Sequence, residues 1–177
     1  MEKNNLLDNS IRKIKNFPKE GILFYDITSI LQSPTAFNYC IDEMVELYKD
    51  AGIDSIACIE ARGFLFAAPF ALKMGLPLIL IRKKGKLPGE TIEKSFTLEY
   101  GEDTIHIHKA DVKAGDTILV IDDLIATGGT VKASLELLHE AGAVANDVFC
   151  VIGLPFLHYK ELLSDYSVKT LINYDSE

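Results

Sequence analysis

The amino-acid sequence predicts an α/β fold: a parallel-stranded central sheet flanked by helices. Three observations carry this. Short, nearly uninterrupted apolar runs recur as "SIACIE" (55–60), "LPLILI" (76–81), "DTILVIDD" (116–123), "DVFCVIGL" (147–154) and "SVKTLINY" (167–174). Segments with apolar residues at helical spacing alternate with these runs, the order that builds crossover units. The runs lack the in–out alternation of half-exposed strands, so both sheet faces are expected to be covered. With 177 residues, a single domain over 1–177 is expected.

The elements follow in order. Leu7, Ile11 and Ile14 recur at helical spacing and predict an amphipathic N-terminal helix. Pro18 and Gly21 break it, and a turn then enters a short extended segment. Ser33 suits an N-cap and Pro34 the first helical position, and Phe37, Ile41, Met44 and Tyr48 share one face of the helix that follows. Gly52 lies just past its end. A second helix is expected from near Phe66, because Pro69 is tolerated best in a first turn. "RKKGKLPGETIEK" (82–94) has no clear period and reads as a long loop. "SFTLEY" (95–100) and "TIHIH" (104–108) alternate like paired strands. His106 and His108 then share a face and read as solvent-facing rather than as a metal pair. A helix over 130–142 places Val131, Leu135 and Leu138 together.

Composition narrows the function. Lys plus Arg number 18 against 26 Asp plus Glu, a formal net charge of −8, which argues against a nucleic-acid binder. Local potential still permits a small anionic ligand. The first ten residues hold no apolar signal segment, and the run 64–72 is far short of the ~20 residues that cross a bilayer, so no membrane association is expected. Cys40, Cys58 and Cys150 stand singly in apolar surroundings and read as buried free thiols in a reducing cytoplasm.

The chemistry concentrates in "VIDDLIATGGT" (120–130). Ligands of such sheets bind beyond the carboxyl ends of the strands. Asp122 and Asp123 end a strand there, and Ala126, Thr127, Gly128, Gly129 and Thr130 lead into the next helix. Successive N–H groups at a helix start grip phosphate, glycines allow close approach, and threonine hydroxyls add donors. Carboxylates would repel that phosphate. They suit a diol, or a centre that becomes positive. A ligand with a phosphate at one end and a sugar diol nearby satisfies both halves, as ribose 5-phosphate does. Either half alone is more often a cap or a turn. Together, after an apolar strand, they favour a site.

"VIDDLIATGGT" resembles the phosphoribosyl pyrophosphate motif of type I phosphoribosyltransferases. "NFPKEGILFYDIT" (16–28), "IEARGFLFAAP" (59–69), "IRKKGKLPGET" (81–91) and "SFTLEYG" (95–101) resemble, in order and spacing, blocks of the adenine-using members of that family. The resemblance runs from about 17 to 142. It implies a type I phosphoribosyltransferase-like fold with an N-terminal hood (about 1–33) and a flexible lid (about 84–95). It also implies purine salvage: transfer of 5-phosphoribosyl from 5-phosphoribosyl 1-pyrophosphate to adenine, giving AMP and pyrophosphate. Mg²⁺ would be held mainly by substrate and water, and the enzyme would be a homodimer.

The resemblance also implies roles. Residues 126–130 hold the 5-phosphate, and Asp122 and Asp123 face the ribose hydroxyls. Ala61, Arg62, Arg82, Lys83 and Lys86 serve the pyrophosphate, with a strained peptide at Ala61–Arg62 and Arg82 reaching across the dimer interface. Glu99 and Arg62 are catalytic, Glu99 by proton transfer at the base or by steadying positive charge, and Tyr100 packs against substrate. Main-chain groups of Leu23, Phe24 and Tyr25 meet the adenine edge, and the Phe24 ring stacks on it. The family usually carries Arg where this chain has Tyr25, and 6-oxopurine enzymes usually carry an acid where this chain has Ala126. The alternatives are a phosphoribosyl-pyrophosphate-sensing, nucleic-acid-binding regulator, or the same transfer to another purine base.

Overall fold

A computed structural model of the chain describes residues 2–97 and 101–176, excepting the side chains of 2–4. Helix α1 (Glu2–Ser10) leads into β1 (Arg12–Lys15), which pairs antiparallel with β2 (Leu23–Asp26) as a separate two-stranded sheet. Ile14 therefore lies in a strand and not in the N-terminal helix, where its spacing had placed it. Its partner across the ribbon is Phe24, and this pairing decides the conformation of a stretch that is helical by period alone. A 3-10 turn (Ile27–Gln32) follows, then α2 (Pro34–Tyr48), whose N-cap Ser33 accepts from the Ala36 N–H as expected.

The main sheet has seven strands in the order β5-β6-β4-β3-β7-β8-β9. Strands β3 (Ser55–Ile59), β4 (Leu78–Lys83), β7 (Thr117–Ile125), β8 (Val144–Gly153) and β9 (Ser167–Asn173) are mutually parallel. A hairpin of β5 (Thr91–Thr97) and β6 (Glu102–His108) joins the β4 edge antiparallel. Strand β5 begins inside the stretch read as a long loop, so only 84–90 connects β4 to β5. The charged residues Glu93 and Lys94 hide its alternation, and the register with β6 imposes the strand.

Each face of the sheet carries its own core. Ile56 and Cys58 of β3 point to one side, where α2 and α3 (Gly63–Met74) pack. Ala57 and Ile59 point to the other, beneath α4 (Gly129–Glu140) and the short α5 (Tyr159–Leu162). This alternation explains the uninterrupted apolar runs: both faces of each central strand are buried.

Helix α3 begins at Gly63, earlier than Phe66, and holds Pro69 in its interior. Burial of Gly63, Phe66, Ala67, Phe70 and Ala71 along one face outweighs the hydrogen bond that proline cannot make. His106 is also not solvent-facing. It is 8% exposed, with Nδ1 3.3 Å from Thr91 Oγ1 and Nε2 3.5 Å from Glu93. All three cysteines are free and buried, and burial pushes the Cys40 thiol up to about 12. Among the described residues no helix is long and apolar enough to cross a membrane.

Candidate active site

The carboxyl ends of β3, β4 and β7 converge on a cleft of about 370 Å³. Its walls include Glu60, Ala61, Arg62, Lys83, Asp103, Asp122, Asp123 and Thr130. A smaller recess of about 120 Å³, lined by 124–131 and Asp122, adjoins it along Asp122, Leu124 and Thr130. A third pocket, about 210 Å³ and mostly apolar, lies between Leu23, Phe24 and Tyr25 on one side and Leu154, Phe156 and Leu157 on the other. It shares Arg62 and Leu124 with the first cleft and Ala126 with the second. One connected depression therefore offers three chemically distinct compartments.

The small recess has the chemistry expected of an anion site. Gly128 sits at φ +85°, a conformation that L side chains rarely adopt, and turns the chain into α4. Among the described residues no side chain caps α4, so its first N–H groups remain available to an anion. Gly129 has nothing within 4 Å of where a Cβ would stand, so its bareness serves the recess rather than the packing.

The acids beside it are strongly coupled to their surroundings. Asp123 is buried and accepts a hydrogen bond from Arg62 Nε. Asp122 Oδ1 accepts from the Asp123 N–H at 2.8 Å. Burial, and after it the adjacent Asp123 charge, push the Asp122 carboxyl well above the usual carboxylate range. Two bare carboxylates resist sharing this space, and Arg62 supplies the counter-charge on one of them.

The other cations are also paired. Arg82 Nε donates to Glu60 at 2.7 Å, and its guanidinium reaches the Lys86 carbonyl at 3.2 Å, so it is engaged within its own chain. Lys83 Nζ stands 2.7 Å from Asp103 and holds that carboxyl below the usual carboxylate range. Ala61, Arg62 and Lys83 line the cleft, whereas the walls described do not include Arg82 or Lys86. A non-prolyl cis peptide lies at Glu60–Ala61, one bond before the one expected to be unusual, and Phe17–Pro18 is also cis. Glu99 and Tyr100 lie outside the described residues.

Several site residues escape a sequence reading. Glu60 and Gly63 lie either side of Arg62 in a motif already singled out, yet the acid has no evident partner until β4 brings Arg82 beside β3, and the glycine none until β7 brings Asp122 there. Asp103 comes from β6, and the Leu154–Leu157 wall from a stretch without a distinctive motif. The side chain of Tyr25 stacks on Tyr174, with ring centroids 3.8 Å apart and an interplanar angle of 16°. Phe24 is half-buried and meets Phe17 edge-to-face at 5.0 Å.

A strand-end acid pair beside an uncapped glycine turn, on this sheet order, has the chemistry that suits a sugar phosphate. The chain belongs to the phosphoribosyltransferase family, and the phosphoribosyl transferase domain matches residues 26–171. Within that family its relatives are adenine phosphoribosyltransferases. The enzyme of that name from Treponema denticola is 58% identical over 175 residues, covering 99% of this chain and 92% of the relative. The crystal structure of the Thermoanaerobacter pseudethanolicus adenine phosphoribosyltransferase superposes with a TM-score of 0.91 at 40% identity, covering 96% of this chain and 99% of the other. The Saccharomyces cerevisiae enzyme, crystallised with an imino-altritol bisphosphate and adenine, gives a TM-score of 0.88 at 36% identity, covering 97% and 99%.

Proposed function

We propose that the chain transfers the 5-phosphoribosyl group of 5-phosphoribosyl 1-pyrophosphate to adenine, releasing pyrophosphate and AMP, as a step of purine salvage in the cytoplasm. The observation that carries this is the junction of the three compartments. The α4 recess takes the 5-phosphate, Asp122 and Asp123 face the ribose hydroxyls, and the wall at Ala61, Arg62 and Lys83 takes the pyrophosphate, with Arg82 and Lys86 behind it. The apolar pocket takes the base, with main-chain groups of Leu23, Phe24 and Tyr25 at its edge and the Phe24 ring on its face. Among the described residues no carboxylate lines that pocket, and Ala126 stands where a 6-oxopurine enzyme would carry an acid, which suits adenine.

The C1–O bond to pyrophosphate breaks as the ribose ring gains positive charge, and N9 of adenine forms the new bond to C1. The buried acid pair stabilises that charge in a site of low dielectric. Pyrophosphate, a stronger partner for a guanidinium than one carboxylate, draws Arg62 from Asp123 and neutralises the leaving group. Glu99 completes the assignment by taking the proton lost from adenine. The loop at 84–90 closes as the lid and excludes water from the sugar cation.

The cleft presents hard oxygen donors, and among the described residues no group of three His, Cys, Asp or Glu residues is placed to hold a metal. Mg²⁺ fits such a setting, because it commonly takes most of its ligands from substrate phosphates and water. When bound it would offset charge on the pyrophosphate, held mainly by substrate and water. A homodimer accords with the bare face of α3, where Leu65 is 42% and Leu72 83% exposed.

The test is direct. The protein, Mg²⁺ and 5-phosphoribosyl 1-pyrophosphate are mixed separately with adenine, hypoxanthine, guanine, xanthine or orotate. Adenine alone is expected to yield nucleotide. Turnover of another base, or nucleic-acid binding without turnover, overturns the proposal.

A further inference from the structure

The two walls of the base pocket are far apart in sequence, and one residue touches both supports. The Tyr174 ring stacks on Tyr25 of β2, the strand that forms the hood wall. The Tyr174 N–H donates to the Gly153 carbonyl at 3.0 Å, immediately before Leu154, where the opposite wall begins. The phenol is anchored in turn: Tyr174 Oη donates to Asp8 Oδ1 at 2.8 Å, and Lys13 Nζ reaches the same oxygen at 2.7 Å. Lys13 is the β1 partner of Tyr25, so the anchor closes back on the hood ribbon. Tyr25 Oη adds a bond to the Ser176 carbonyl at 3.3 Å.

We propose that Tyr174 sets the spacing of the two pocket walls and is a positioning residue for purine recognition. This rests on the reading that the pocket holds the base. A flat ring held between Phe24 and an apolar wall depends on that spacing, because a radial gap of about 0.5–1 Å forfeits a quarter to a half of each dispersion contact. The Tyr25 ring gives Tyr174 a face to stack on. Tyr174 needs no contact with the substrate for this role.

The experiment is steady-state kinetics of the full chain with each substrate varied in turn. Tyr174→Leu keeps apolar bulk but loses the flat stack. It is expected to raise KM for adenine about fivefold or more, while KM for 5-phosphoribosyl 1-pyrophosphate stays within about twofold. Tyr174→Phe keeps the stack, loses only the Asp8 bond, and is expected to stay within about twofold of the parent in both constants. Should Tyr174→Leu not fold, Tyr25→Leu unstacks the pair from the hood side and is read the same way. Equal rises in both KM values, or no rise in either, overturn the inference. Phe24→Ala separates the two claims. If it leaves the adenine KM unchanged, the pocket is not the base site. If it raises that KM while Tyr174→Leu does not, only the role of Tyr174 fails.

Discussion

Gly63→Ala tests whether the first residue of α3 is wedged between two strands. A Cβ at Gly63 would stand 2.9 Å from Asp122 Oδ1, 3.2 Å from the Asp122 Cα and 3.2 Å from Cys58 Sγ. None of these neighbours is the free end of a long surface side chain. Cys58 is buried in β3, and Asp122 is held by its pairing with Cys150 of β8 and by the Asp123 N–H. Overpacking of this kind costs ~1–3 kcal/mol. For a chain of this size each kcal/mol lowers Tm by about 2–4 °C, so a fall of roughly 2–12 °C is expected. The sign is diagnostic. Gly63 is helical and has no left-handed φ, so without a clash the change to alanine would stabilise by ~0.4–1 kcal/mol through the unfolded chain. Displacing Asp122 would also disturb the proposed ribose face, and kcat/KM is expected to fall at least about tenfold, roughly 1.4 kcal/mol. Thermal melting and nucleotide formation from adenine are the measurements. A raised Tm with unchanged kcat/KM refutes the wedge.

Other predictions follow from the same geometry. Asp122→Asn removes a carboxyl whose pKa is raised by burial and by Asp123, so it should raise Tm near neutral pH by about 2–4 °C, the shift given by ~1 kcal/mol, while lowering activity. A raised acid stabilises the fold fully below its unfolded pKa and loses that contribution as pH rises through the folded pKa. The Tm advantage of Asp122→Asn should therefore vanish in acid, and a gain that persists there refutes the attribution. Arg62→Ala and Asp123→Asn should each lower kcat/KM at least about tenfold. Activity at the parent level in both would remove the assignments. Gly128→Ala should cost ~1–2 kcal/mol in a urea melt, because φ is +85° and the Tyr159 Cβ is 3.1 Å from the new Cβ. Gly129→Val, which meets open space, should leave the melt near the parent and weaken 5-phosphoribosyl 1-pyrophosphate binding, measured by calorimetry. The opposite ranking in the melt would contradict the loop geometry.

The central strands were legible because burial on both faces writes itself as consecutive apolar residues. The acid pair and the glycine turn were legible because they lie close in sequence: Asp122, Asp123, Gly128 and Gly129 fall within one strand–turn–helix unit. What escaped depended on pairing over distance. Ile14 has helical spacing but joins Phe24 in a ribbon. Pro69 argues locally for a later helix start, but the packing of Phe66 and Phe70 overrides it. Glu93 and Lys94 hide β5, and Lys94 finds its purpose in Glu136 and Glu140 of α4, at 3.1 and 2.6 Å. The buried position of His106 follows from the hairpin register, which the sequence does not state. The Leu154–Leu157 wall of the apolar pocket and the Tyr174 anchor have no local signature at all.

The acids of the cleft resolve an apparent conflict between a chain of net charge −8 and a polyanionic substrate. Arg62 pairs with Asp123, Lys83 with Asp103 and Arg82 with Glu60, so each of these cations is held by a carboxylate of the same chain. Such pairs fix long side chains near where charge is needed, at the cost of opposing the incoming anion. A lysine keeps further donors while bonded to one acid, and a guanidinium keeps more, so phosphate oxygens can join these pairs without wholly replacing them. Asp123 differs from the other two acids because, in the function proposed above, it also faces the ribose. Under that proposal, Arg62 turning to pyrophosphate frees Asp123 beside a ring that is becoming positive. One exchange then supplies positive charge to the leaving group and negative charge to the sugar, and Arg62→Lys, which keeps the charge but not the fork, should impair kcat more than Lys83→Arg.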